Sequence, residues 1–140
     1  MAQQLSVFLE NAPGRLNDMT RALGEGNINM HALFVADTSD FGVARIICDK
    51  TDAAASILRD AGFSVTTNEV VAIEISDEPG ALAKLFQATT DAGVEISYTY
   101  CLVDPNTKKA VSFCRFKQAR AIEVLEDAGF AILEDNVFHI

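Results

Sequence analysis

The sequence predicts an α+β fold made of two tandem copies of one βαββαβ unit, and three observations carry that expectation. Setting Pro13-Gly14 against Pro79-Gly80 gives an offset of 66 residues, at which Leu16 meets Leu82, Met19 meets Leu85, and Asn27-Ile28-Asn29-Met30 meets Gly93-Val94-Glu95-Ile96. After one extra residue in the second copy, Asp60-Ala61-Gly62-Phe63 returns unchanged as Asp127-Ala128-Gly129-Phe130. Within each copy the apolar residues switch between the two-residue period of a strand and the three-to-four-residue spacing of a helix. The chain then holds two units of about 70 residues each, with boundaries expected at 1–68 and 69–140.

Each copy opens with a strand. Leu5, Val7 and Leu9 alternate with Ser6 and Glu10, as Val71, Ile73 and Ile75 alternate with Ala72, Glu74 and Ser76, which is the pattern of a half-buried strand. Pro-Gly follows and leads into a helix whose apolar stripe is Leu16, Met19 and Leu23 in the first copy and Leu82, Leu85, Phe86 and Thr89 in the second. Proline suits the first helical turn, where an N–H would have no intrahelical acceptor. Two hairpins come next: 28–37 with 42–49 across Thr38-Ser39-Asp40-Phe41, and 96–103 with 110–116 across Asp104-Pro105-Asn106-Thr107. Ala54, Ile57, Leu58 and Ala61, with Ala121, Val124, Leu125 and Ala128 in the second copy, form a second helix that Gly62 or Gly129 ends. A last strand follows each glycine.

The order β-α-β-β-α-β is the split βαβ, or ferredoxin-like, arrangement, in which two helices cover one face of a four-stranded sheet. Only Thr67-Asn68-Glu69 breaks the copies apart, without a Gly, Ser or Pro tract, so the two units are expected to pack side by side in a fixed orientation. Residues 63–73 run in register with 130–140. That register predicts an edge strand at 136–140 that pairs with another copy or another chain.

Composition narrows the function classes. Two cores of about 70 residues are each marginal, so mutual packing or a homodimer is expected. The net charge of −9 and the lack of any Lys/Arg cluster argue against direct nucleic-acid binding, which depends on displacing phosphate counterions. No apolar run approaches the roughly 18 to 20 residues of a membrane span, and Met-Ala-Gln-Gln has neither the basic nor the apolar region of a signal peptide. A cytoplasmic protein without a membrane partner is the expectation. Cys48, Cys101 and Cys114 are odd in number and form no C-x-x-C pair, which points to buried thiols in place of a disulfide frame or zinc site.

No catalytic constellation emerges. His31 and His139 lie on predicted strands without a serine or cysteine partner at a recognisable spacing, and H-E-x-x-H, P-loop and G-x-G-x-x-G motifs are absent. The expectation is no catalytic residue, no metal ligand and no cofactor. What remains is the junction of first strand and first helix, Asn11-Ala12-Pro13-Gly14-Arg15-Leu16, echoed by Asp77-Glu78-Pro79-Gly80-Ala81-Leu82. Free backbone N–H groups and the positive end of the helix dipole favour an anion there, and glycine permits close approach. The same segment is equally an ordinary helix start.

A D/N-x-P-G-x-L segment after an apolar strand, followed by a helix ending in a G-x-N-I-like sequence, resembles the ACT domain. It occurs twice, as Asn11 to Leu16 with Asn27 to Met30 and as Asp77 to Leu82 with Gly93 to Ile96. The resemblance implies a ferredoxin-like fold, side-by-side pairing, and an amino acid bound at the interface between domains by the first strand–helix loop and the start of the second strand. Carried onto this chain, it implicates Asn11, Ala12, Gly14, Arg15 and Leu16 with Asn29 and Met30, and in the second copy Glu78, Gly80, Ala81 and Leu82 with Ile96. Asn11, Arg15 and Asn29 are replaced by Asp77, Ala81 and Glu95. An amide and a cation suit a ligand carboxylate where two carboxylates would repel it, so the first loop is expected to dominate.

The leading function is therefore a non-catalytic regulator that senses a small-molecule amino acid and acts on a separate enzyme or transcription factor. The alternative is a small regulatory subunit or interaction module without a ligand of its own. An enzyme on the same scaffold stays open, because fold does not fix function. The residues do not reveal which amino acid binds.

Overall fold

Alternating strand and helix periods become eleven elements in the structure, a computed structural model that describes residues 1–10, 12–37 and 41–134. Asn11, residues 38–40 of the expected turn at 38–41, His139 and the expected edge strand at 136–140 lie outside the described residues. The elements are β1 (Ala2–Glu10), α1 (Arg15–Glu25), β2 (Met30–Asp37), β3 (Phe41–Cys48), α2 (Thr51–Asp60), β4 (Ser64–Ser76), α3 (Ala81–Asp91), β5 (Ile96–Asp104), β6 (Lys109–Phe116), α4 (Ala121–Asp127) and β7 (Ala131–Leu133). The chain divides between Asn68 and Glu69 into two units, the second of which also holds Met1 and Ala2. The break read at Thr67-Asn68-Glu69 is not a break in secondary structure, because β4 runs through it as one strand of 13 residues. No glycine or proline there interrupts an extended backbone.

In the first unit the strand order is β2-β3-β1-β4, and in the second β5-β6-β4-β7, so each is a ferredoxin-like sheet of α+β class. The ladders β1·β3, β2·β3, β4·β6, β5·β6 and β4·β7 are antiparallel. Both hairpins carry a register shift at the same place, between Met30 and Ala32 and between Ile96 and Tyr98, which puts His31 at a bulge. The first core joins Leu5 and Val7 of β1 and Ile46 of β3 to Met19 and Leu23 of α1 and Leu58 of α2. The second joins Val71, Ile73 and Ile75 to Leu85 and Leu125.

Leu16 and Leu82, read as the first residues of each helix stripe, are instead exposed, at 42% and 38%. In α1 burial begins one turn later, at Met19, whereas in α3 Ala81 is already buried and Leu85 follows. Pro13 and Pro79 likewise precede the helices, which start at Arg15 and Ala81. At the far end of α1, Asn27 adopts φ +59°, and at the end of α3 Gly93 adopts φ +68°. Asn27 N–H bonds Gly24 O and Ile28 N–H bonds Leu23 O, at 3.1 and 2.9 Å, while Gly93 and Val94 make the same bonds to Thr90 and Thr89. The repeat aligns Asn with Gly because both tolerate the left-handed turn that satisfies the last helical carbonyls.

Cys48 and Cys114 are buried, but Cys101 is exposed and all three thiols are free. The expectation of buried thiols fails at Cys101 because β5 is an edge strand. Burial pushes the Cys114 thiol above its ordinary range, against the hydrogen bonds that Ser112 and Thr99 offer. An alkylating reagent at neutral pH should therefore modify Cys101 alone in the folded protein and all three cysteines in denaturant, as counted by intact mass.

Candidate functional site

The loop between β1 and α1 turns on Gly14, whose φ of +85° opens the helix without a side-chain cap, and Gly80 does the same for α3 at φ +88°. A side chain would be strained at either position. The helical ladder begins with Asp18 N–H to Gly14 O at 2.8 Å and with Lys84 N–H to Gly80 O at 3.0 Å. First-turn N–H groups such as those of Leu16 and Asn17 have no intrahelical acceptor, and their partial positive charge faces the loop.

In the first unit this helix start borders an open cleft of about 840 Å³. Ala12, Pro13, Gly14, Arg15, Leu16, Asn17 and Thr20 form one side, while Leu33 and Val35 of β2 form the other, with Leu9, Glu10 and Gly42 between. The register explains the arrangement. Leu9 lies opposite Gly42, Val35 opposite Ala44 and Leu33 opposite Ile46, so all of these share the face that carries the core. Because β2 is an edge strand among the described residues, Leu33 and Val35 remain 44% and 42% exposed.

The corresponding cleft of the second unit is only about 230 Å³. Glu78, Gly80, Ala81 and Leu82 border it, together with Asp77, Cys101, Val103 and Ala110. The Glu78 carboxylate accepts a hydrogen bond from Ser76 Oγ at 2.9 Å.

The structure thus brings Ala12, Gly14, Arg15 and Leu16 to one cleft and Glu78, Gly80, Ala81 and Leu82 to another. It does not bring the starts of β2 and β5 to the cleft of their own unit. Met30 pairs with Cys48 and Ile96 with Phe116, whereas Glu10, next to the loop, pairs with Phe41; antiparallel pairing puts Met30 and Asp37 at opposite ends of β2. Asn29 serves the fold: its N–H bonds Asp49 Oδ1 at 3.0 Å, and its carbonyl accepts the Asp49 N–H at 3.1 Å. Glu95 is held equivalently, its N–H on Gln118 Oε1 at 2.8 Å and its carboxylate 3.3 Å from Lys117 Nζ.

Arg15 is not an idle cation either. Its guanidinium lies over the Phe63 ring, 4.2 Å from the centroid, and Nη1 stands 3.3 Å from Asp18 Oδ2. That stack holds the side chain against the core, and its charge is partly compensated before any ligand arrives. Leu9, Leu33, Val35 and Gly42 were missed in the sequence. Gly42 alone left a signal, since a glycine inside a strand marks a close approach or a bulge.

Among the described residues no group of three His, Cys, Asp or Glu side chains is placed to hold a metal ion, and no helix is long and apolar enough to cross a membrane.

Two ferredoxin-like units, each with a helix that opens on a left-handed glycine beside an edge strand, define the class as a tandem α+β small-domain protein. The family model described as an ACT domain pair matches residues 1–140, and the chain belongs to that family. A solved protein of Bacteroides thetaiotaomicron is similar at 37% identity and a TM-score of 0.91, over 99% of this chain and 95% of that one. The ligand-free regulatory subunit of aspartate kinase from Thermus thermophilus is similar in fold, at 16% identity and a TM-score of 0.67, over 90% of this chain and 89% of that one. No curated protein matches the chain.

Proposed function

We propose that this protein is a non-catalytic regulator that binds a free amino acid in the cleft of its first unit. The observation that carries the reading is the inequality of the two clefts: about 840 Å³ beside Gly14 and Arg15 against about 230 Å³ beside Asp77 and Glu78. An amino-acid carboxylate suits the first-turn N–H groups of α1, with Asn11 and Arg15 adding a donor and a positive potential. The ligand side chain then lies on Leu33 and Val35. Asn29, Met30 and Ile96, at the far ends of their strands, would contribute only from a different unit or chain.

In this reading residues 1–68 and 69–140 are the two domains, the chain works as a homodimer in the cytoplasm, and its target is a separate enzyme or transcription factor. A separate enzyme as target is in keeping with the Thermus thermophilus protein of similar fold, which is a regulatory subunit of aspartate kinase. Ligand regulates only if it binds one arrangement of the assembly more tightly than another, a coupling commonly worth about 1–3 kcal/mol. The second reading, an interaction module without a ligand, is favoured by one observation: Leu33, Phe34 and Val35 stand exposed in succession on the edge strand β2.

A thermal-shift screen over the twenty amino acids, paired with a native mass measurement, separates the two. A responsive amino acid at 100 times its Kd should raise stability by about 2.7 kcal/mol. Silence from all twenty would leave the interaction module as the better reading.

A further inference from the structure

The geometry points to a ligand with a large apolar side chain, selected at Gly42, an inference that rests on the reading of the first cleft as an amino-acid site. The walls that face the helix start are Leu9, Leu33 and Val35. The first is buried, but the other two present aliphatic surface to open space. Below the Gly14–Leu16 segment, which takes the polar end, the cleft offers the side chain chiefly apolar surface. The polar residues of the lining, Glu10, Asn17 and Thr20, belong to the loop and helix side, so a polar side chain laid on Leu33 and Val35 would surrender water with few partners to replace it.

Gly42 decides how deep that side chain can reach. It sits in β3 between Leu9 of β1 and Asp37 of β2 in the register, and shares the face of Leu9. A Cβ built on Gly42 meets only Ala36 O at 3.6 Å and the Leu9 Cβ at 3.8 Å, ordinary contact distances. Neither packing nor backbone conformation therefore demands a glycine, and a strand glycine carries a stability cost. The second unit makes the comparison: Ala110 occupies the same place, opposite Ile75, and lines the smaller cleft. The absent methyl at position 42 leaves the space that the ligand side chain uses.

The test is calorimetric titration of the full chain with L-leucine, L-phenylalanine, L-serine and glycine, in the wild type and in Gly42→Ala. The wild type should bind leucine or phenylalanine at least about tenfold more tightly than serine or glycine. Gly42→Ala should weaken the large ligand by about tenfold and leave the small ones nearly unchanged, the discrimination a single methyl group gives in an apolar pocket. Leu33→Ala, at an exposed position that tolerates truncation, should also weaken the large ligand selectively and serves should Gly42→Ala fold poorly. Tighter binding of serine or glycine by the wild type, or an equal loss for all four ligands in both variants, would overturn the inference while leaving an amino-acid site intact. No binding of any of the four, together with silence from all twenty amino acids in the thermal-shift screen, would instead remove the reading on which it rests.

Discussion

Leu23→Ala is expected to destabilise the first unit by about 2–5 kcal/mol, while Leu16→Ala, on the same helix, changes stability by only about 0.5 kcal/mol. Both leucines fall on the apolar stripe of α1, and periodicity alone treats them alike. The structure separates them: Leu23 is fully buried with Met19, Leu5 and Leu58, whereas Leu16 projects over the cleft. Truncating Leu23 removes apolar area and leaves a cavity in a core too small to collapse cheaply. Urea unfolding followed by circular dichroism checks the contrast. Equal midpoints for the two variants would mean that α1 does not turn Leu23 to the core and Leu16 to the cleft.

The second large effect falls on ligand affinity. Val35→Asp should weaken amino-acid binding by tenfold or more, because it sets a carboxylate on an apolar wall where a ligand side chain must lose water. Its exposure keeps the folding cost within about 1 kcal/mol. Cys101 holds the position that corresponds to Val35 in the second unit, as Val35 pairs with Ala44 and Cys101 with Ser112. Cys101→Asp should therefore leave the affinity unchanged. Titration of both variants with the amino acid that responds in the screen reads the difference, and a loss confined to Cys101→Asp would move the site to the second unit.

Much of the fold was legible in the residues because strands and helices impose different periods on apolar positions, and duplication let each copy check the other. The Asp-Ala-Gly-Phe identity marks a real shared device: Gly62 and Gly129 adopt φ near +90°, and the N–H groups of Phe63 and Phe130 close back on Leu58 and Leu125. Other features could not be read locally. Leu16 looks apolar in sequence, but whether a sheet lies beneath it depends on where the helix begins relative to the strands. The join at Asn68 separates the repeats without interrupting the strand, because an extended backbone has no reason to stop at Thr-Asn-Glu.

The loop half of the candidate cleft was legible because Pro-Gly carries conformational information in itself. The strand half was not. Leu9, Leu33, Val35 and Gly42 are far apart in sequence and meet only through the β1·β3 and β2·β3 registers, and the antiparallel hairpin carries Asn29 and Met30 away from the loop. Arg15 illustrates a further limit, since its place over Phe63 depends on a side chain 48 positions later that no local motif connects to it.

The central claim, an amino-acid site in the first cleft, is tested most directly by ¹⁵N-resolved NMR of the full chain titrated with the responding amino acid. The account predicts amide shifts concentrated at Ala12, Gly14, Leu16, Leu33, Val35 and Gly42. Shifts confined to residues 77–82 and 101–110, or no shifts at saturating ligand, would contradict it.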